Sequence, residues 1–211
     1  MSGPPSNSVD RHRLSTDTDD GMLLIMSGPS GVGKTTITRA IERNIPGAVF
    51  SVSATTRPKT AADAEGIDYH FVSDAEFDRL IAENAFLEWA NVFGRRYGTL
   101  RAWVEEQLAR GRLVILEIDV EGAENVKRQI PDSYGIFIEP PSEDVLLERL
   151  RARRREDEQV IQRRFAEARR EIAQARAGKV YDAFIVNHVL EEAIELALVK
   201  VRGELRRRVG H

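Results

Sequence analysis

Short apolar runs alternate along this chain with longer segments in which apolar positions recur every three or four residues. The short runs are typical of strands buried on both faces of a sheet, and the longer spacing is typical of amphipathic helices. The predicted buried strands are residues 22–26, 49–53, 113–119, 134–138 and 183–187. Strands and helices that alternate in this way indicate an α/β fold with a central parallel sheet flanked by helices.

The pattern changes between residues 52 and 99, where short segments of alternating apolar and polar residues replace the longer apolar runs. Short strands are predicted over residues 67–72, 86–90 and 92–99, as a small antiparallel unit. Ser73 and Glu76 have the spacing of a capping box and predict the start of a helix after the first of these strands. The sequence therefore predicts a small β-rich insertion in the parallel α/β domain.

Two further regions stand apart in composition. Residues 1–20 are rich in Ser, Pro, Thr and Asp and almost lack apolar side chains, so a disordered tail is predicted. Residues 142–177 follow a break at two prolines and predict two strongly charged helices. The expected organisation is one domain over residues 21–208, with its core formed by residues 21–51, 111–139 and 178–208.

The overall composition narrows the class of protein. Hydrophobic residues make up 42% and charged residues 31% of the 211 residues, as in globular proteins with a sizeable core. No cysteine is present, so disulfides and thiolate metal sites are excluded. A net charge of −3, no long apolar run and no signal-peptide core together predict a cytoplasmic protein that binds neither nucleic acid nor membrane.

Residues 28–35 carry the most specific motif, Gly-Pro-Ser-Gly-Val-Gly-Lys-Thr, between the first predicted strand and the first predicted helix. In this context the motif predicts a phosphate-binding loop, because glycines let backbone N–H groups surround a polyphosphate at a helix N-terminus. Lys34 is expected to reach the β- and γ-phosphates, and the Thr35 hydroxyl to ligate Mg²⁺. The predicted ATP-binding residues of this loop are Gly28, Pro29, Ser30, Gly31, Val32, Gly33, Lys34 and Thr35.

Several further short sequence motifs follow this loop along the chain. They are residues 51–57, 66–69, 88–90, 97–99, 116–122, 140–142, 149–150 and 185–187. Together with the loop, these motifs resemble the guanylate kinase family over about residues 22–205. The resemblance implies a P-loop kinase with a β-rich GMP-binding insertion at about 52–99 and a helical lid at about 142–165. It also implies transfer of the γ-phosphoryl group of ATP to GMP and dGMP, with Mg²⁺ and without a covalent enzyme intermediate.

The resemblance also implies how GMP is bound. Guanine offers two adjacent donors, N1–H and the 2-amino group, beside the acceptor O6, and adenine lacks this pattern. A carboxylate with a hydroxyl can read that pattern, and Glu88 and Thr99 stand at the family's positions for these roles. A bidentate arginine supported by hydroxyl donors suits the phosphate of GMP. The implied phosphate ligands are Arg57, Ser53, Tyr69 and Tyr97.

The remaining implied roles concern the metal, ATP and the transferred phosphoryl group. Glu117 and Asp119 end a predicted strand and are expected near the Mg²⁺–phosphate network and the acceptor nucleotide. Asn187 matches a position near the adenine of ATP. The cations expected to act in catalysis are Lys34, Arg57, Arg149, Arg153 and Arg164. Acidic residues are interleaved with the arginines of this region, which argues against a nucleic-acid surface.

The chain departs from the family pattern at several positions. Thr60 stands where the family has a second arginine, and Ala62 and Asp63 stand where it has a glycine–glutamate pair. Glu121 replaces a glutamine, and Ala152 and Arg154 replace glycines of the lid. Either Lys59 substitutes for the arginine as a point charge, or the affinity for phosphate is weaker. Two alternatives therefore stay open: a P-loop kinase with another acceptor, and a related module that binds a phosphorylated peptide. The intact phosphate loop argues against the binding module.

Overall fold

A computed structural model of the protein describes residues 21–92, 94–152 and 157–209. The predicted tail and Arg153 lie outside these residues. The strands are β1 (Met22–Ser27), β2 (Ala48–Phe50), β3 (Ala54–Thr55), β4 (His70–Phe71), β5 (Phe86–Val92), β6 (Arg95–Leu100), β7 (Leu113–Glu117), β8 (Tyr134–Glu139) and β9 (Ala183–Val186). The helices are α1 (Lys34–Asn44), α2 (Asp74–Ala82), α3 (Arg101–Ala109), α4 (Val120–Gln129), α5 (Glu143–Ala152), α6 (Glu158–Ala177) and α7 (Leu190–Val209).

The larger sheet is wholly parallel and has the strand order β2-β7-β1-β8-β9. Helices cover both of its faces: Ile37 of α1 packs with Leu24 of β1 on one face, and Val126 of α4 packs with Leu23 on the other. Burial on both faces explains why the strands have continuous apolar sequences. The predicted α/β fold with a central parallel sheet is confirmed.

One predicted boundary of this sheet is wrong. The apolar run at 49–53 predicts a single buried strand, but β2 ends at Phe50 and its residues are only partly buried. The chain then crosses to the second sheet, where β3 begins at Ala54. A strand at the edge of a sheet is less buried than a central strand and needs fewer apolar residues. The length of the apolar run at 49–53 therefore does not indicate where β2 ends.

The second sheet has four strands in the order β4-β3-β6-β5 and lies within the region of the predicted insertion. Antiparallel pairing is found between β3 and β6 and between β5 and β6, but β3 and β4 are parallel, so the predicted antiparallel unit is wrong in this part. The connection over residues 56–69 is much longer than a hairpin turn, and therefore the chain can re-enter the sheet in the same direction. The strand predicted at 67–72 is limited to His70 and Phe71.

The parallel arrangement brings several strand ends to one edge of the larger sheet. Met26 of β1 lies beside Glu117 at the end of β7, and Ser27 lies beside Phe137 of β8. The glycine loop after β1 therefore enters between the ends of its two neighbouring strands. Ligands of open α/β sheets bind in crevices of this kind, at the carboxyl ends of the strands.

Candidate active site

The glycine loop has a backbone that side chains would obstruct. Gly28, Gly31 and Gly33 have φ angles of 147°, 86° and 99°, all in the region that favours glycine. A β-carbon on Gly28 would lie 2.3 Å from the carbonyl oxygen of Ile138, and one on Gly33 would lie 2.7 Å from Nδ2 of Asn187. Helix α1 begins directly after Gly33, so its unpaired amides and positive dipole end face the loop.

Lys34 bends back over this loop. Its Nζ donates hydrogen bonds to the carbonyl oxygens of Gly28 and, at 3.2 Å, Pro29. The ammonium group is thereby held against the backbone at the start of the glycine loop. A cation at this place can neutralise a polyphosphate that the loop amides bind.

The Thr35 hydroxyl lies beside a carboxylate at the end of β7. Its Oγ1 donates to Oε1 of Glu117 at 2.8 Å. A hydroxyl with one carboxylate suits Mg²⁺, which prefers oxygen ligands and usually completes its shell with water and substrate phosphates. No group of three or more metal-ligating side chains occurs within the described residues, so they provide no all-protein cage. The donor set therefore fits a metal shared with a nucleotide.

Glu88 and Thr99 form a buried polar pair on two neighbouring strands. They are directly opposite in the pairing of β5 with β6, and Thr99 Oγ1 donates to Glu88 Oε1 at 2.5 Å. Only 7% of Glu88 and 1% of Thr99 is exposed. Burial raises the pKa of Glu88 to about 7, although the Thr99 hydrogen bond acts in the opposite direction. The pair therefore consists of a desolvated carboxyl group and a desolvated hydroxyl.

Helix α4 makes room for this carboxylate. A β-carbon on Gly122 would lie 2.7 Å from Oε2 of Glu88. Asp119 caps the same helix by accepting a hydrogen bond from the Gly122 amide at 2.7 Å. The helix start thus fixes the direction of Asp119 and leaves space beside Glu88.

Arg57 is held by a neighbouring carboxylate. Its Nη1 and Nη2 donate to Asp63 at 3.0 and 2.8 Å, and its guanidinium carbon lies 5.1 Å from the centre of the Tyr69 ring. Asp63 also accepts from the backbone N–H and the hydroxyl of Thr60, both at 2.7 Å. These donors hold the pKa of Asp63 well below its usual range. Thr60, where the family pattern has an arginine, therefore orients Asp63.

Asn187 links the glycine loop to helix α5. Its side-chain Nδ2 donates to the backbone carbonyl oxygen of Val32 at 2.7 Å. The backbone carbonyl oxygen of Asn187 accepts from Arg149 Nη2 at 3.0 Å. Asn187 Oδ1 is buried and has no hydrogen-bond partner among the residues the structure describes. Buried acceptors in folded proteins normally have a hydrogen-bond partner, so this oxygen is an unusual feature beside the glycine loop.

One cavity of about 430 Å³ brings many of the predicted site residues together. The predicted residues in its wall are Gly28, Ser30, Lys34, Ser53, Tyr69, Glu88, Tyr97, Glu117, Asp119 and Arg164. Tyr69 and Tyr97 contact each other there, with ring centres 5.6 Å apart. Other predicted residues are absent from this wall. Thr99 contacts Glu88 from outside it, Arg57 lies beside Tyr69, and Arg149 contacts Asn187 near the glycine loop. The remaining described residues of the loop motif are also absent from it: Pro29, Gly31, Val32, Gly33 and Thr35.

Helix α6 adds two cavity residues to which the sequence motifs gave no role in the site. Glu167 and Glu171 line the cavity on the same face of α6 as Arg164. Burial raises the pKa of Glu171 to about 7, with Lys34 acting in the opposite direction. The spacing of Arg164, Ala168 and Glu171 places them on one face of a helix. Since Arg164 was expected in the site, this spacing could have predicted that Glu171 also lines it.

A glycine loop that connects a central parallel strand to a helix, with a lysine and a threonine at the helix start, is the arrangement of P-loop nucleotide-binding proteins, a class that includes kinases. The family model for guanylate kinase matches residues 20–200. The chain thus belongs to the guanylate kinase family, whose members phosphorylate GMP with ATP.

Individual relatives agree with this assignment. The chain is 45% identical over 191 residues to the guanylate kinase of Anaeromyxobacter dehalogenans, covering 90% of this chain and 84% of that protein. It is 47% identical over 179 residues to the guanylate kinase of Thermobifida fusca, covering 84% of this chain and 90% of that protein. The crystal structure of guanylate kinase from Anaplasma phagocytophilum has a TM-score of 0.71 and 32% sequence identity, covering 88% of this chain and 87% of that one.

The raised pKa of Glu88 predicts that this residue destabilises the protein as the pH rises. The folded protein retains the Glu88 proton to about pH 7, whereas the unfolded chain loses it near the usual glutamate pKa of 4.5, so stability falls between these values. Glu88→Gln removes this titration. The free energy of unfolding of the variant, relative to the wild type, should therefore increase by about 2.5 kcal/mol from about pH 5 to about pH 8.

Urea denaturation of both proteins across this pH range measures the difference. Glu171 titrates in both proteins, so its contribution cancels in the comparison. Glu195→Gln, at an exposed position of α7, is the matched control and should show no such trend. A difference between Glu88→Gln and wild type that stays constant with pH would contradict the raised pKa.

Proposed function

We propose that this protein transfers the γ-phosphoryl group of ATP to the phosphate of GMP, and also of dGMP, giving ADP and GDP with Mg²⁺ as cofactor. One observation carries the proposal: the glycine loop with Lys34 and the buried Glu88 line the same cavity. A phosphate-donor site and a base-reading carboxylate are thus combined in one space. Membership of the guanylate kinase family supports the same substrates.

Glu88 and Thr99 are the residues proposed to select guanine. The Glu88 carboxylate accepts hydrogen bonds from N1–H and the 2-amino group, and the Thr99 hydroxyl turns from Glu88 to donate to O6. Glu88 is buried, and adenine offers neither N1–H nor a 2-amino group, so adenine would leave its carboxylate with only the hydrogen bond from Thr99. Discrimination by unsatisfied buried polar groups is large compared with discrimination by shape alone.

Arg57 is the proposed clamp for the phosphate of GMP, together with the hydroxyls of Ser53, Tyr69 and Tyr97. Its guanidinium carries five N–H donors. Asp63 takes one each from Nη1 and Nη2, and the Pro58 carbonyl oxygen takes the second from Nη1. The remaining donors, Nε–H and one N–H of Nη2, form the edge that binds a phosphate in bidentate fashion. Asp63 therefore orients the guanidinium and leaves this edge for the ligand.

The chemical step needs positioning and charge neutralisation more than bond-making by the protein. The attacking oxygen of GMP is already anionic, so no strong general base is required. The loop amides and Lys34 hold the β- and γ-phosphates, and Asn187 lies near the adenine. Arg149, Arg153 and Arg164 supply further positive charge to the transferred group, with Arg164 in the cavity wall.

Thr35 is the proposed protein ligand of Mg²⁺, with Glu117 beside it and Asp119 near the acceptor nucleotide. When bound, Mg²⁺ would neutralise part of the negative charge of the ATP phosphates. Closure of the insertion and of the lid over the substrates is proposed to exclude water, which could otherwise accept the phosphoryl group.

The small molecules ATP and GMP are the proposed partners. No helix of the described residues is long and apolar enough to cross a membrane. The cytoplasmic location and the lack of nucleic-acid binding rest on composition and charge, and both stay predictions.

The base-reading pair predicts acceptor specificity. ADP production from Mg·ATP should be strong with GMP and dGMP, because the proposed readout contacts only the base, and negligible with AMP, CMP and UMP. A coupled assay with each nucleotide supplied separately measures this. Turnover with a different acceptor would indicate a related kinase with another substrate. Tight ATP binding without turnover on any acceptor would favour the phosphopeptide-binding alternative.

The arginine clamp predicts a separation of the two substrate affinities. Arg57→Ala should raise KM for GMP on the order of a hundred-fold, because two charge-assisted hydrogen bonds are lost. KM for ATP should be unchanged. Arg43→Ala, which removes an exposed arginine of α1, is the matched control and should leave both constants unchanged. Unaltered GMP saturation in Arg57→Ala would refute the proposed clamp.

A further inference from the structure

Thr38 lies in α1, one turn after the loop's lysine and threonine, and its side chain is completely buried. Its Oγ1 is within hydrogen-bond distance of Lys34 O at 3.2 Å, Thr35 O at 3.0 Å and Glu117 Oε2 at 3.1 Å. A hydroxyl has one proton, so it can donate to only one of these acceptors at a time.

The carboxylate is the strongest of the three acceptors. Lys34 O and Thr35 O lie in the first turn of α1, where the helix provides backbone N–H donors for carbonyl oxygens. Glu117 Oε2 is charged, and a hydrogen bond to a charged group is stronger than one to a neutral carbonyl. Full burial of Thr38 prevents water from taking the proton instead.

Glu117 is thereby bound at both of its oxygens. Thr35 Oγ1 donates to Oε1 at 2.8 Å, and Thr38 Oγ1 donates to Oε2 at 3.1 Å. The two threonines lie on the same face of α1, three residues apart, whereas Glu117 ends β7. A rigid helix and a rigid strand therefore fix the plane of the carboxylate that faces the proposed metal ligand.

We propose that Thr38 is a positioning residue for the Mg²⁺ site: it holds Glu117 in the orientation in which this carboxylate supports Thr35. This inference rests on the proposed function, since it requires that Mg·ATP binds at the glycine loop. Thr38 itself touches neither metal nor nucleotide. Groups bonded directly to a metal ligand change metal affinity by about ten- to a hundred-fold when they are removed, and Thr38 acts one hydrogen bond further out, so we expect an effect at the lower end of this range.

Thr38→Val tests the proposal, because valine keeps the branched shape and removes only the hydroxyl. Binding of Mn²⁺, as a spectroscopic substitute for Mg²⁺, is measured by electron paramagnetic resonance in the presence of a non-hydrolysable ATP analogue. The metal affinity should fall about ten-fold. Affinity for the analogue in excess EDTA should stay at the wild-type value, because the loop amides and Lys34 are unchanged. Thr38→Ser retains the hydroxyl and should retain the metal affinity.

Two further variants separate this role from a structural one. Ser133→Ala deletes another buried hydroxyl, whose oxygen has no hydrogen-bond partner among the described residues, and should leave metal affinity unchanged. In a Glu117→Gln background, Thr38→Val should have less than about a third of its effect in the wild type, because a residue that acts through Glu117 loses its target.

Two outcomes overturn the inference: wild-type metal affinity in Thr38→Val, or an undiminished effect of Thr38→Val in the Glu117→Gln background. The proposed function fails separately. In that case the wild-type protein itself does not bind the metal with the ATP analogue, or does not phosphorylate GMP. A loss of metal affinity in Thr38→Val together with normal affinity for the analogue in EDTA supports the inference.

Discussion

The close approach of the glycine loop to its neighbours is the constraint on which the site depends. Ile138 O and the Asn187 amide occupy the places where β-carbons of Gly28 and Gly33 would lie. The loop can therefore run between β8 and the segment after β9 only with glycines at these positions. The same contact sets the start of α1, and with it the positions of Lys34 and the hydroxyls that face Glu117. Backbone packing in the sheet thus determines the geometry of the phosphate site.

The cavity that this loop lines also contains buried carboxyl groups that reduce the stability of the folded protein. Burial raises the pKa values of both Glu88 and Glu171 to about 7, so the folded protein disfavours their charged forms. A protein selected only for stability would place apolar side chains at such positions. Buried carboxylates in a cavity wall are suited to a ligand that brings hydrogen-bond donors, and this cost in stability supports a binding role.

The sequence predicted the parts of the fold in which one physical requirement dominates. Strands buried on both faces need continuous apolar runs, and a phosphate loop needs its glycines, so the central sheet and residues 28–35 were identifiable. The parallel pairing of β3 with β4 was not, because strands of two residues have no periodicity. Glu171 was missed because a charged residue on a charged helix usually faces solvent. Its burial depends on where α6 packs, which no local pattern specifies.

The departure at Thr60 shows why a substitution has to be interpreted together with its neighbours. From the sequence, the loss of an arginine implies weaker phosphate binding unless Lys59 replaces its charge. In the structure Lys59 lies over the Phe71 ring at 5.8 Å, while Thr60 donates two hydrogen bonds to Asp63. Asp63 then holds Arg57 by both terminal nitrogens. Thr60 thus helps to orient Arg57 through Asp63, and a guanidinium held in this way keeps the geometry for a bidentate phosphate contact without a second arginine.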